Sequence, residues 1–190
     1  MGAESSAVAA AGVGAERLGA RAERDLIRDA QRGSEGALTA LYRSHWPMAH
    51  RTAYLVVHDA AAAEDIAQDA FLAAVHALHR FDRRRPFGPW LHRIVVNRSI
   101  DWSRRQTLRR EAGSERLEDE AAPDAPAGIG GELMQALAEL PPDQRAAVVL
   151  RHLLGYTPGE IARILGLKRG TVNSRLRRAL DRLGETLEGP

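Results

Sequence analysis

Apolar residues recur at helical spacing along this chain, and no segment alternates in the manner of a half-buried strand. That pattern restricts the fold to packed helices. Leu26, Ile27 and Ala30 share one face, Gly33 interrupts it, and Ala37, Leu38, Leu41 and Tyr42 resume it. Tyr54, Leu55 and Val57 bound the next apolar patch, which His58 and Asp59 break. Asp59 is placed to cap a further helix. The stripe of that helix is Ile66, Ala67, Ala70, Phe71, Ala74, Val75 and Leu78. A loop over residues 80–88 follows, and Pro89 suits the first turn of the next helix. That helix is expected over about 90–105, burying Trp90, Leu91, Ile94 and Val95.

The composition then changes. Residues 106–131 carry Gly113, Pro123, Pro126, Gly128, Gly130 and many acids, with almost no large apolar side chains. Such a stretch reads as a flexible acidic linker. Helical spacing returns with Leu133, Leu137 and Leu140, is punctuated by Pro141 and Pro142, and continues through Ala146, Val149, Leu150, Leu153 and Leu154. The expected organisation is a disordered tail (1–20), a helical domain (21–105), the linker (106–131) and a second helical domain (132–186). The fold class is all-α, two small domains on a tether.

The net charge of +2 hides a dipolar distribution. Arginines 80, 83, 84, 85, 93, 98, 104, 105, 109 and 110 face only Asp82 and Asp101. Lys168 and arginines 163, 169, 175, 177, 178 and 182 face only Asp181. The helix through Ile66 carries Asp59, Glu64, Asp65 and Asp69 and no base between Leu55 and Val75. Two basic blocks suit a polyanion, and one acidic helix suits a basic protein surface.

Several classes are excluded or disfavoured. There is no cysteine, hence no disulfide framework, thiolate metal site or thiol nucleophile. No apolar run is long enough to span a membrane. Gly12 and Gly14 lack the rest of any phosphate-loop fingerprint. His76 and His79 could share a helix face, but no third ligand stands at suitable spacing. Aromatics make up only 5% of the chain, which argues against an aromatic base-stacking platform. No catalytic activity, metal or cofactor is expected.

Thr157, Pro158 and Glu160 form a capping box with proline at the first helical position. Ile161, Ile164 and Leu165 make the short helix amphipathic, and Gly166 stands where a left-handed residue ends a helix. A second helix begins near Arg169. Unrolled at about 100° per residue, it gathers Val172, Leu176, Ala179, Leu180 and Leu183 as a core face. Thr171, Ser174, Arg177 and Arg178 lie opposite, with Asn173 and Arg175 on the flanks. Short polar residues let a backbone approach the major groove, and arginines fork to guanine or clamp phosphate. Cap, turn glycine and basic block together favour a helix-turn-helix over an ordinary solvated helix.

The stretch AEDIAQDAF at 63–71 resembles the segment with which the extracytoplasmic-function sigma factors of bacteria grip RNA polymerase. The sequence WLHRIVVNRSIDWSRR at 90–105 is similar to the family's WLxxIAxNxxxDxxRR. LPPDQR at 140–145, EIA at 160–162 and GTVNSRL at 170–176 are similar to its LPxxxR, EIA and GTVxSRL. The matches keep the family's order over about 22–105 and 132–184. Lys168-Arg169 and Asn173 depart from the usual residues, so the promoter sequence does not transfer.

The resemblance implies a sigma region 2 that binds core polymerase and the −10 promoter element, and a region 4 helix-turn-helix that binds −35. Glu64, Asp65, Gln68 and Asp69 would meet a coiled coil of the largest polymerase subunit. Arg80, Arg83, Arg84 and Arg85 would attract the phosphates of a melted strand beside a flipped base, with Phe81, Phe87 or Trp90 stacking or packing. Arg98 and Arg105 would take phosphate. Asn97 would touch DNA or tie its helix to a neighbour, as would Asp101. Arg169, Thr171, Asn173, Ser174, Arg175, Arg177 and Arg178 would read −35. A cytoplasmic location and control by an anti-sigma factor are further implications, and no sensing domain is expected after the second helical domain. A stand-alone helix-turn-helix regulator would leave the acidic helix without a role, and an enzyme would lack site residues.

Overall fold

The computed structural model describes residues 19–112 and 130–188. Nearly all of the expected tail, and the expected linker apart from its ends, lie outside those residues. Among the described residues there are only helices and turns. They are α1 (Ala20–Gln31), α2 (Glu35–Val57), α3 (Ala60–Ala77), a 3-10 turn (Leu78–Arg80), α4 (Phe87–Glu111), α5 (Gly131–Glu139), α6 (Pro142–Val148) with a π turn (Val149–Leu153), α7 (Pro158–Leu165) and α8 (Arg169–Glu188). None is long and apolar enough to cross a membrane.

Local chemistry sets the helix boundaries. Gly33 takes a left-handed φ of 91° after α1, and the Ser34 hydroxyl then caps α2 by accepting from the Ala37 N–H. Asp59 caps α3 as expected, its carboxylate accepting from the Ala62 N–H at 2.8 Å. Between these helices His58 adopts φ 57° and closes α2 with an N–H bond to the Tyr54 carbonyl. α2 runs unbroken through Pro47, which removes one donor to the preceding turn. Pro47 and Arg43 are both exposed, so water can serve the carbonyl left over.

The first four helices bury Ile27, Leu55, Leu91, Val95 and Val96 completely or nearly so. The expected stripes hold with four exceptions. Tyr42 is 40% exposed, Val75 is 43% exposed, Leu180 is 48% exposed and Leu133 is 37% exposed. Val75 and Leu180 sit at the margins of their stripes, where a small rotation decides burial. Leu133 lies in the first turn of α5. The expected helix over 90–105 is longer at both ends. It starts at Phe87, so Pro89 falls within its first turn, and it continues to Glu111. No glycine or proline opposes that continuation before Gly113, and the Thr107 hydroxyl bonds back to the Ser103 carbonyl.

The second unit packs α5, α6 and α7 around α8 and rests against α2 and α4. Its key residue is Arg145, 7% exposed. The guanidinium donates to the Val56 carbonyl at 2.7 Å, the Ala138 carbonyl at 2.7 Å and the Leu140 carbonyl at 2.9 Å. Val56 lies in the last turn of α2, which has no basic residue of its own. Arg145 therefore supplies the positive charge that a helix C-terminus favours, from the other half of the chain. Burial lowers its pKa to about 10, leaving it protonated at neutral pH. Two further contacts join the halves. Arg104 pairs with Asp143 at 2.8 Å, and His92 Nδ1 shares a 2.8 Å hydrogen bond with the Tyr156 hydroxyl.

Burial holds His58 and His92 neutral, each lowered to about 4. Nearby Arg145 adds to the effect on His58, and His45 to that on His92. An unfolded chain takes up protons on both imidazoles near pH 6.5, whereas the folded chain refuses them until about pH 4. Their contribution is therefore intact above about pH 6.5 and is lost as pH falls toward 4. Unfolding free energy measured by urea titration should drop over that window by roughly 3 kcal/mol per histidine. His92→Asn should remove about half of the drop, and an unchanged pH profile would contradict the assignment.

Candidate protein and nucleic-acid interfaces

α3 presents Glu64, Asp65, Gln68 and Asp69 together on an exposed face. Helical spacing alone produces this, since 64, 65, 68 and 69 fall on adjoining turns. Gln68 donates to the Glu64 carboxylate at 3.3 Å. Asp69 is paired with Arg98 of α4 at 3.1 Å. Two residues assigned to different partners thus hold each other, and Arg98 remains 41% exposed. Alongside runs an apolar groove of about 390 Å³ between α2 and α3, lined by Leu38, Tyr42, Phe71, Leu72 and Val75. Leu72 is 58% exposed and Tyr42 is 40% exposed. The sequence reading missed this groove because Leu72 falls outside the buried stripe.

The loop after α3 rests on an aromatic base. Phe81 and Phe87 are buried, and both approach Trp90, with ring centroids 4.6 and 5.5 Å away. Of the alternatives open for these rings, Phe81 and Phe87 pack, while half-buried Trp90 keeps an edge toward a cleft. Asp82 shapes the turn by accepting from the Arg84 backbone N–H and from its guanidinium, both at 3.0 Å. Those hydrogen bonds hold the Asp82 carboxyl below its usual range.

The four loop arginines do not face one way. Arg80 and Arg85 line a cleft with Phe81, Trp90 and Arg93, closed on its far side by Tyr156, Glu160 and Arg163 of the second unit. Arg83 and Arg84 turn to the opposite side, toward α1. Farther along α4, Asn97 is half-buried, while Asp101 and Arg105 are exposed. The Arg105 guanidinium bonds to the backbone carbonyl of Asp101 at 3.2 Å.

The helix-turn-helix forms as its sequence dictates. Thr157 and Glu160 exchange both capping hydrogen bonds, and Gly166 ends α7 with φ 66°. On α8, Arg169, Asn173, Arg177 and Arg178 are exposed, and Thr171 and Ser174 are half-buried. The Ser174 hydroxyl donates to the Thr171 carbonyl and sits 3.5 Å from Arg178. Arg175 is placed differently. Its side chain is 22% exposed and pairs at 3.4 Å with Asp143, the carboxylate that also holds Arg104. Among the described residues no cluster of three or more acidic or histidine side chains could hold a metal. His79 uses its Nδ1 on the His76 carbonyl.

Comparison with known proteins adds to this geometry. The Sigma-70 region 2 family model matches residues 41–109, and the Sigma-70, region 4 model matches residues 130–183. α1 lies ahead of both spans. The ECF RNA polymerase sigma factor SigM of Mycobacterium tuberculosis is 36% identical over 88% of this chain and 85% of its own. The RNA polymerase sigma factor CnrH of Cupriavidus metallidurans is 31% identical over 88% of this chain and 95% of its own. Its structure in complex with the cytosolic domain of CnrY matches with a TM-score of 0.66 at 29% identity, over 87% of this chain and 97% of that one. The sigma factor RpoE of Bartonella quintana, solved with the anti-sigma factor NepR, matches with a TM-score of 0.66 at 27% identity, over 79% of this chain and 96% of that one.

Proposed function

The chain belongs to the extracytoplasmic-function sigma factors of bacterial RNA polymerase, and from that membership we propose how its surfaces divide the work of promoter selection. As a sigma factor it directs transcription initiation at promoters. We assign it no catalytic activity of its own. Residues 21–105 serve as the unit for polymerase and −10, and residues 132–186 as the unit for −35.

The observation that carries this reading is the separation of an acidic, apolar-edged face on α3 from the arginines of the 80–88 loop and α8. Glu64, Asp65, Gln68 and Asp69 offer carboxylates and an amide to a basic helix of core polymerase, and the Leu72 groove offers burial beside them. Arg80, Arg85 and Arg93 supply positive charge to a strand entering the Trp90 cleft. Arg83, Arg84, Arg98, Arg105 and Asn97 extend that surface. On α8, Thr171, Asn173, Ser174, Arg177 and Arg178 face the −35 duplex, with Arg169 at its start. Arg175 orients α8 through Asp143 rather than reading bases while the halves are packed.

Packing also matters to mechanism. By their own numbering the −10 and −35 elements lie about 25 base pairs apart, about 85 Å of duplex at about 3.4 Å per pair. Here α7 closes the Trp90 cleft directly. The halves therefore part on engaging a promoter, breaking the Arg104–Asp143 and His92–Tyr156 contacts. The relative solved with the anti-sigma factor NepR supports a partner of the same kind for this chain, one that holds the factor idle.

Mixing the full chain with core polymerase and transcribing a promoter library tests the reading. Specific transcripts are expected, and duplex binding without transcripts would favour a stand-alone regulator. Gln68→Ala with Asp69→Ala should weaken polymerase binding about tenfold, the loss of roughly 1.4 kcal/mol, with duplex binding unchanged. Because Asp69 also holds Arg98, Gln68→Ala alone should show part of the effect. Equal loss of polymerase and duplex binding would count against the assignment.

A further inference from the structure

α1 carries arginines at 21, 24, 28 and 32, spaced three and four apart along one face. The fold sets that face against the loop. Arg21, Arg24, Arg28 and Arg32 line one cleft with Arg83 and Arg84, a concavity of about 550 Å³. Six guanidinium groups gather there, and among the described residues Asp25 is the one acid in the lining. Arg28 is neutralised by Asp25 at 2.8 Å, and Arg84 by Asp82 at 3.0 Å. Arg32 reaches Asp29 only at 4.0 Å. Among the described residues no ion pair engages Arg21, Arg24 or Arg83, so the cleft keeps a strong surplus of positive charge.

The cleft is held in place rather than formed by chance approach of two mobile parts. Gln31 of α1 donates to the Leu78 and Phe81 carbonyls at 3.0 and 2.9 Å, fixing the start of the loop. Glu23 of α1 accepts from the Phe87 N–H at 3.3 Å, fixing its end, and pairs with His45. The His45 imidazole and the Phe87 N–H hold the Glu23 carboxyl below its usual range despite burial. Buried Ile27 and Ala30 anchor the other face of α1 in the core. The arginine row is thus rigidly registered to the loop.

We propose that this cleft is a second nucleic-acid site, a phosphate track for single-stranded promoter DNA leaving the 80–88 loop. The inference rests on the loop's role in gripping the melted strand. From Arg21 to Arg32 α1 advances about 16 Å at 1.5 Å per residue, enough for several successive phosphates. Among the described residues no aromatic side chain lines the cleft, so the lining offers bases nothing to stack on and the track reads no sequence. A concave channel closed by a loop admits one strand more readily than the convex surface of a duplex. Because its lining comes from α1 and the loop alone, the cleft stays open while the two halves are packed.

The test uses the full chain and a labelled mixed-sequence DNA of about 20 nucleotides, longer than a typical single-strand site, both single-stranded and annealed to its complement. Fluorescence anisotropy is read across a salt series. Arg21→Gln, Arg24→Gln and Arg32→Gln combined should weaken single-strand binding about tenfold or more. They should also lower the salt slope by about 2, since each phosphate that a single strand no longer has neutralised removes about 0.7. Duplex binding, which uses α8, should change little, and an unchanged urea midpoint should show that these exposed side chains leave the fold intact. Unchanged single-strand affinity and slope would overturn the proposal, and so would an equal loss for single strand and duplex. Association with core polymerase tests the underlying reading separately. A variant that joins polymerase like the unaltered chain yet loses the single strand supports the track. If the unaltered chain joins no polymerase but the variant still loses the single strand, the sigma reading falls and the site stands.

Discussion

Replacing Arg145 with alanine is expected to lower the unfolding free energy by about 3 kcal/mol or more, the largest stability effect of any single polar side chain here. Two buried carbonyls, on Val56 and Leu140, and the part-buried carbonyl of Ala138 lose a charged donor at once. Water cannot easily replace it at Val56 and Leu140, because both hydrogen bonds are buried. The C-terminus of α2, with no basic residue in its own last turn, also loses the cation that Arg145 supplies. Arg145→Lys should recover only part of the loss. An ammonium is a point donor and cannot span carbonyls that the guanidinium fork reaches in two directions. Urea denaturation followed by circular dichroism measures both variants. Wild-type stability for Arg145→Ala would mean that the carbonyls find other donors and that Arg145 does not help to join the two halves.

Arg145 also marks the limit of what the sequence could tell. It stands inside LPPDQR, a motif legible at first reading, yet its partners lie 89, 7 and 5 residues away, and only the fold brings the most distant one within reach. Features governed by neighbours in sequence were legible. The Asp59 cap, the Thr157–Glu160 box and the Gly166 turn need only local geometry, and each forms as read. Helix faces were legible to within a stripe's width. Val172, Leu176, Ala179 and Leu183 are buried, whereas Leu180, about 80° from Val172 on the helical wheel, falls beyond the reach of its neighbours. Helix ends without a breaker were not legible, since α4 continues past Arg105 simply because nothing stops it. The candidate polar site residues were named by type and spacing. Their pairing was not, because Asp69–Arg98 and Asp143–Arg175 each join separate helices. The α1 arginines show a different kind of miss. Their spacing was visible, but its meaning depended on a loop more than 50 residues downstream.

Leu72→Asp is expected to reduce affinity for core polymerase about 100-fold while leaving the fold unchanged. The argument begins with an imbalance on α3. A solvated helix face has no need of a leucine 58% exposed next to Val75 at 43% and Tyr42 at 40%. Adjacent exposed apolar groups rimmed by polar ones mark a surface that is covered in the working state. The rim here is Glu64, Asp65, Gln68 and Asp69, so a partner docking on it would present basic residues around an apolar ridge. Burying the Leu72 side chain against that ridge would contribute about 1.5–3 kcal/mol, between one and two orders of magnitude in affinity. An aspartate at this position also carries a charge into the contact and leaves it unpaired, which adds to the loss. Leu72→Ala should show the smaller, purely apolar part of the effect. Neither substitution touches the core, since Ile66, Ala70, Phe71 and Ala74 carry the buried stripe of α3. Both variants should therefore unfold at the urea midpoint of the unaltered chain and bind duplex DNA normally. Pull-down with core polymerase at fixed salt separates the outcomes. Retained binding by Leu72→Asp would move the docking surface off the groove and leave the carboxylates of α3 to act alone, an interaction that added salt should then abolish.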